Sequence, residues 1–227
     1  MHSGNRKNLL ILSFTLVVVT LGFGLVMPII PFYMEQLGAG GMELGMLVAS
    51  YAVMRLIFGP IWGGLSDRIG RKPVLLIGIL GYGITMVGFG LATQLWMMFV
   101  ARMLSGVLSS ATSPTTMAYI SDSTPEEERG GGMGLLGAAA ALGTIFGPAL
   151  GGLLAEDALS TPFFVAAALS LVAMILIVLF LPESLPEEAR TAEKNEQPIL
   201  DPRAWREAIF SPIGSLLLLA FLATGGM

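Results

Sequence analysis

The residues in this sequence able to do chemistry are few, and most are basic or hydroxylic. Arg102, Ser105, Ser109, Thr112, Thr116 and Tyr119 follow steps of three and four, which places them on one face of a helix. Asp67, Arg68, Arg71 and Lys72 crowd the segment GGLSDRIGRKP, and Asp122 stands alone further on. Arg55, with Tyr51 one turn before it, interrupts a long apolar run. Such groups hold charge and give or accept hydrogen bonds. They do not make a bond-breaking site: no nucleophile sits with a base, cysteine is absent, and the one histidine, His2, is at the N-terminus. The glycine-rich GGGMG (Gly130–Gly134) lacks the Lys-Ser/Thr of a phosphate loop. The expectation is no enzyme, no metal, no cofactor and no nucleic-acid partner.

The elements that must position these groups are apolar. The chain has 227 residues, of which 54% are hydrophobic and 12% charged, about half the charge of an ordinary soluble domain. The charges cluster between long uncharged runs: Leu9–Met34, Leu44–Leu65 (broken by Arg55), Val74–Leu95, Leu95–Ser121 (broken by Arg102), Gly130–Ala155 and Pro162–Leu181. Each reaches the ~20 residues that a helix needs to cross a bilayer. A seventh run starts near Ile213 and is still apolar at Met227. The first run is too long for a signal-peptide core and has no small-residue cleavage site after it. The expectation is an all-α membrane protein with residues 9–181 as a six-helix domain and the lipid bilayer as its surroundings. Residues 1–8 would be its N-terminus, 182–211 a polar linker and 212–227 an incomplete seventh helix. Within the linker, DPRAWREAIF (Asp201–Phe210) reads as a short capped surface helix.

Charge placement orients the spans. With the N-terminus in the cytoplasm, ten Lys and Arg residues fall on the inner side, none on the outer loops, and only Arg55 and Arg102 within spans. That is a strong positive-inside pattern.

The sequence also repeats. IFGPIWGGL (Ile57–Leu65) and IFGPALGGL (Ile145–Leu153) match at seven of nine positions, 88 residues apart. The same offset carries the first three spans onto the next three, so the repeats are about 9–92 and 97–180. Because three is odd, the second copy lies inverted in the membrane, a plan common among secondary transporters. Gly143, Gly147 and Gly151 share one face beside Pro148, which suits either a packing seam or a moving part. Thr124, Pro125 and Glu127 read as a helix start with a reciprocal cap.

GGLSDRIGRKPVLL resembles the loop signature between helices two and three of the major facilitator superfamily, carried by Gly63, Leu65, Asp67, Arg68, Gly70, Arg71 and Lys72. GTIFGPALGG (Gly143–Gly152, with Pro148 and Gly152) is similar to the fifth-helix signature of its proton-coupled drug antiporter branch. ARMLSG (Ala101–Gly106) is similar to the fourth-helix arginine motif, and GLVMPIIPFYMEQLG to the branch's first helix. The resemblance implies the N-terminal half of a twelve-helix carrier whose C-terminal half is the partner. It implies a cytoplasmic gate in which Asp67 holds a helix end of the other half and Arg71 pairs with Asp122. It also implies a cavity lined by helices one and four, with three and six outside.

The residues themselves add conditions. Gly70 suits a left-handed turn, and Pro73 the start of the next helix. The hydroxyl stripe suits a wet cavity or helix–helix hydrogen bonds equally. Arg102 is close enough to the outer end of its span to snorkel, and it and Arg55 are candidates for proton coupling or cavity lining. The sixth span is apolar all round and should face lipid. No Asp or Glu lies inside the six complete spans, although a proton-coupled carrier needs a titratable group. Tetracycline exporters of the branch carry an acid where Val19 stands, so a tetracycline–metal cargo is disfavoured. The leading expectation is proton-coupled efflux of hydrophobic small molecules at the plasma membrane. The alternatives are a facilitator or symporter of a small, anionic metabolite, and a truncated, inactive half-protein.

Overall fold

The computed structural model describes residues 3–156 and 158–186, with side chains from residue 8 onward. The expected linker beyond 186, its short helix and the seventh run lie outside the described residues. Eight helices occur among the described residues: α1 (Ser3–Val26), α2 (Ile30–Gln36), α3 (Gly41–Ile69), α4 (Arg71–Gly90), α5 (Leu95–Ser109), α6 (Thr112–Ser123), α7 (Glu126–Leu154) and α8 (Thr161–Phe180). They supply six segments long and apolar enough to cross a membrane, with α5 and α6 together forming the fourth.

Prolines explain why eight helices make six spans. Pro28 and Pro31 have no N–H for the carbonyls a turn earlier, so the first run divides into α1 and the short α2. Pro114 likewise withholds a bond from the Ser110 carbonyl, and the fourth span breaks at Ser110–Ala111. There the Ala111 N–H bonds Leu108 at 3.3 Å instead of Val107. The freed Val107 carbonyl accepts from Trp62 Nε1 at 2.6 Å and from Ser110 Oγ at 2.7 Å. Trp62 belongs to the first copy of the repeat, and Leu150 stands at its place in the second. α3 and α7 run unbroken through Pro60 and Pro148.

The packing is symmetric under exchange of the repeats. α1 packs on α7 and α8, the α5–α6 pair packs on α3 and α4, and α4 packs on α8. Swapping spans one, two and three for four, five and six maps this pattern onto itself. Two apolar clusters fill the interior. One, with Leu25, Met34, Phe89 and Phe163, lies toward α2; the other, with Leu12, Leu75, Tyr119 and Ile177, lies toward the α3–α4 loop.

The sixth span is open along one side and closed along the other. Phe163, Ala166, Ser170, Ala173 and Ile177 are buried at steps of three and four, because α8 closes against α4 and α1. Only its opposite face, including Leu171, Ile175 and Leu179, is open. The capping expectation for Thr124 changes. Pro125 has extended backbone and its carbonyl accepts the first helical bonds of α7, from Glu128 and Arg129. Pro125 therefore holds the cap position, and the Thr124 hydroxyl is buried without a partner.

Candidate functional site

A cavity of about 390 Å³ opens at mid-height, with Arg55 and Ala140 on its wall near the midpoints of α3 and α7. Its volume falls in the range of small-molecule sites. The wall comes from α1, α3, α5–α6 and α7, while α4 and α8 contribute nothing to it. Leu16, Val19, Phe23, Met117 and Met133 make it largely apolar; Thr20, Tyr51, Ser109, Ser113 and Thr144 are its hydroxyl-bearing residues with open surface, while the Thr112 hydroxyl is buried against Gly78. Arg55 is exposed there, and no carboxylate shares the wall among the described residues.

The hydroxyl stripe divides between its two expected uses. Ser109 reaches the cavity, and Thr112 lines it with its hydroxyl buried. Thr116 does not: it is fully buried and its hydroxyl donates to the Thr112 carbonyl at 2.7 Å. Ser109 returns its proton to the Ser105 carbonyl at 2.6 Å in the same way. Such bonds to the preceding turn satisfy a hydroxyl without joining two helices. The Tyr51 Oη–Ser109 Oγ contact at 3.4 Å is the one place where the stripe meets another helix's hydroxyl among the described residues.

Behind Tyr51 lies a smaller chamber of about 20 Å³, with Arg102, Ser105 and Ser109 on its wall. Arg102 does not snorkel. It is 2% exposed, turned inward with its guanidinium carbon 4.5 Å from the Tyr51 ring centroid and 5.9 Å from that of Phe23. Such stacking favours a cation. Among the described residues its one hydrogen bond is to the Met27 sulfur at 3.9 Å. Tyr82 and Met86 of α4 also line the chamber, so the third span is not wholly outside. Sequence reasoning missed Tyr82; the signal was a lone tyrosine in a glycine-rich apolar span.

At the basic end the charges converge. Gly70 has φ +104° and connects α3 directly to α4, a backbone that favours glycine; Pro73 falls in the first turn that follows. This tight corner swings Arg71 back against α3. Arg71 pairs with Asp67, donates through Nη1 to Ser66 at 2.6 Å and reaches Asp122 from Nε at 2.8 Å. It thereby ties the ends of α3, α4 and α6. Glu183, just past α8, accepts the Arg71 and Lys72 backbone N–H groups at 2.8 and 3.2 Å, so a carboxylate closes the N-terminus of α4. Lys72 Nζ donates to Val178 at 3.0 Å, and Tyr119 donates to Pro182 at 2.8 Å. Arg68 makes no bond among the described residues. Glu183 was not foreseen, although its place at the basic end of the span paired with α4 by the repeat was the available signal.

The two copies of the glycine motif serve differently. Gly147 lies so close to α1 that a Cβ there would be 2.6 Å from the Gly24 Cα, while one at Gly151 would press on the Leu25 backbone and one at Gly143 on Thr20 and Leu21. These three form a packing seam with α1, and Pro148 flanks it beside Gly24. Gly152 points elsewhere, and Gly59 and Gly63 of the first copy likewise have nothing within 4 Å.

Three comparisons bear on the arrangement. The sequence pattern of the Major Facilitator Superfamily matches residues 12–227. The chain is 37% identical over 219 residues to Multidrug resistance protein 1 of Bacillus subtilis (strain 168), covering 96% of this chain and 55% of that protein. It is 35% identical over 195 residues to the class H Tetracycline resistance protein of Pasteurella multocida, covering 85% and 48%. The crystal structure of the human organic anion transporter MFSD10 (TETRAN) superposes with TM-score 0.77 at 22% identity, over 92% of this chain and 54% of that one; this shows the shared fold. The chain spans about half the length of the curated relatives it matches.

Proposed function

We propose that this chain, which belongs to the Major Facilitator Superfamily, forms the N-terminal half of a carrier that exports small hydrophobic molecules in exchange for protons. The observation that carries the reading is the mid-height cavity, apolar with scattered hydroxyls and walled by four of the six spans. Multidrug and tetracycline resistance proteins among the relatives support efflux as the direction. The protein is a multi-pass membrane protein; its place is the cell membrane, with the N-terminus and the α3–α4 loop in the cytoplasm, as the basic residues favour. A C-terminal half would close the open side of the cavity.

In this reading the Arg71 cluster is a cytoplasmic gate. Arg71 and Glu183 hold the ends of α3, α4, α6 and α8 as one block, and Asp67, paired with Arg71 but one-third exposed, engages the other half. Asp67→Asn should insert normally and turn over slowly; unchanged turnover would remove the gate from the account. The proton is carried by a carboxylate of the other half, because these spans contain none.

The charge of the wall favours one cargo class. Arg55 stands exposed on it with no acid in view, so neutral and anionic molecules are preferred over cations. The same observation supports the second reading, a facilitator or symporter of a small anion. Cells making the complete carrier separate the two. Efflux predicts reduced accumulation of a lipophilic neutral dye, reversed by collapse of the proton gradient. Raised uptake of a small organic anion would favour the second reading.

A further inference from the structure

The chamber behind Tyr51 contains two groups that the transport reading leaves without a task. Arg102 and Tyr82 are 2% and 3% exposed. The Arg102 Nε–H and the Tyr82 hydroxyl are both buried with no hydrogen-bond partner, and both residues line the same chamber. The geometry is built for Tyr82: Gly22 also lines the chamber, and a Cβ there would collide with the tyrosine oxygen. A side chain at that position would displace the hydroxyl. Among the described residues no acid lines the chamber. Among the described residues, two aromatic faces and a thioether are the compensation for the Arg102 guanidinium, and these offset little of the cost of burying an unpaired charge.

We propose that the chamber binds one halide-sized monovalent anion, held by the Arg102 Nε–H and the Tyr82 O–H and covered by the Tyr51 ring. About 20 Å³ admits one small species, since a water needs roughly 10–15 Å³. A water would meet the two donors, but it brings two hydrogens of its own and no charge. Val19, Val26, Met86 and aromatic rings make up most of the wall; the Ser105 and Ser109 hydroxyls offer a water acceptors, but a water leaves the Arg102 charge unneutralised. An anion uses both donors, needs no acceptor and neutralises Arg102. The assignment concerns binding alone and holds whatever the cargo.

The test is the thermal stability of the purified carrier containing this chain, in chloride, bromide, acetate or gluconate at one ionic strength. Chloride and bromide should raise Tm saturably, and gluconate, too large for the chamber, should not. Tyr82→Phe should raise the half-saturating chloride concentration about tenfold. Val19→Asp, which puts a carboxylate on the chamber wall, should abolish the halide response while keeping the protein as stable as the halide-bound form. Equal Tm in chloride and gluconate would mean that water fills the chamber, overturning the proposal. So would a response that both variants retain, which would be a surface salt effect. A response to acetate equal to that of chloride would assign the site to a cargo carboxylate and overturn the halide.

Discussion

Gly147→Ala tests whether the fifth-span motif is a packing seam. The added Cβ would lie 2.6 Å from the Gly24 Cα and 2.7 Å from the Gly24 carbonyl carbon. Both are backbone atoms and cannot swing aside. Ordinary contact begins near 3.4 Å, so α1 and α7 must part by about 0.8 Å. A gap of roughly 0.5–1 Å forfeits a quarter to a half of each dispersion contact across it, and overpacking of this kind costs about 1–3 kcal/mol. The carrier should lose several degrees of Tm and most of its transport, with membrane insertion unchanged. Gly152→Ala is the matched control, since nothing lies within 4 Å of that position, and it should behave as wild type. If Gly147→Ala melts and transports like Gly152→Ala, α1 and α7 do not approach as described and the seam is wrong.

Three further outcomes follow from the same geometry. Asp122→Asn removes the charged acceptor 2.8 Å from Arg71 Nε and should cost about 1–3 kcal/mol, read as a lower Tm that Asp122→Glu partly restores. Glu183→Gln weakens the carboxylate at the α4 N-terminus and should cost roughly 0.5–2 kcal/mol, with hydrogen exchange rising first at Arg71 and Lys72. Arg55→Gln takes the positive charge off the cavity wall and should shift export toward cationic dyes without changing Tm. An unchanged cation-to-neutral ratio would place the cargo elsewhere.

The spans were legible because a bilayer leaves few options: charges fall at the ends, and 20 apolar residues between them cross. The repeat was legible for a related reason, since a helix copied with its small residues keeps its close-packing face. What escaped were consequences of prolines and of three-dimensional neighbours. Pro28, Pro31 and Pro114 divide runs that hydropathy reads as continuous, because hydropathy does not register a missing N–H. Thr116 sits in the predicted stripe, but beyond the break at Ser110–Ala111 it is buried away from the cavity. The pairing of Arg71 with Asp122 came from a resemblance, and the geometry shows the two groups in contact. Glu183 and Tyr82 could not be placed without knowing that α8 lies on α4 and that α4 reaches behind Tyr51. The two copies of the glycine motif look equivalent in sequence, yet Gly147 and Gly151 of the second press on α1 while Gly59 and Gly63 of the first have nothing within 4 Å.

The most direct test of proton-coupled export uses liposomes containing the complete carrier, loaded with a lipophilic neutral dye and placed under an imposed pH gradient. Dye leaving the carrier's cytoplasmic side and protons crossing the opposite way should appear together, depend on the gradient's sign and vanish with an ionophore. Dye that moves only down its own gradient, with no accompanying proton flux, would contradict proton-coupled export.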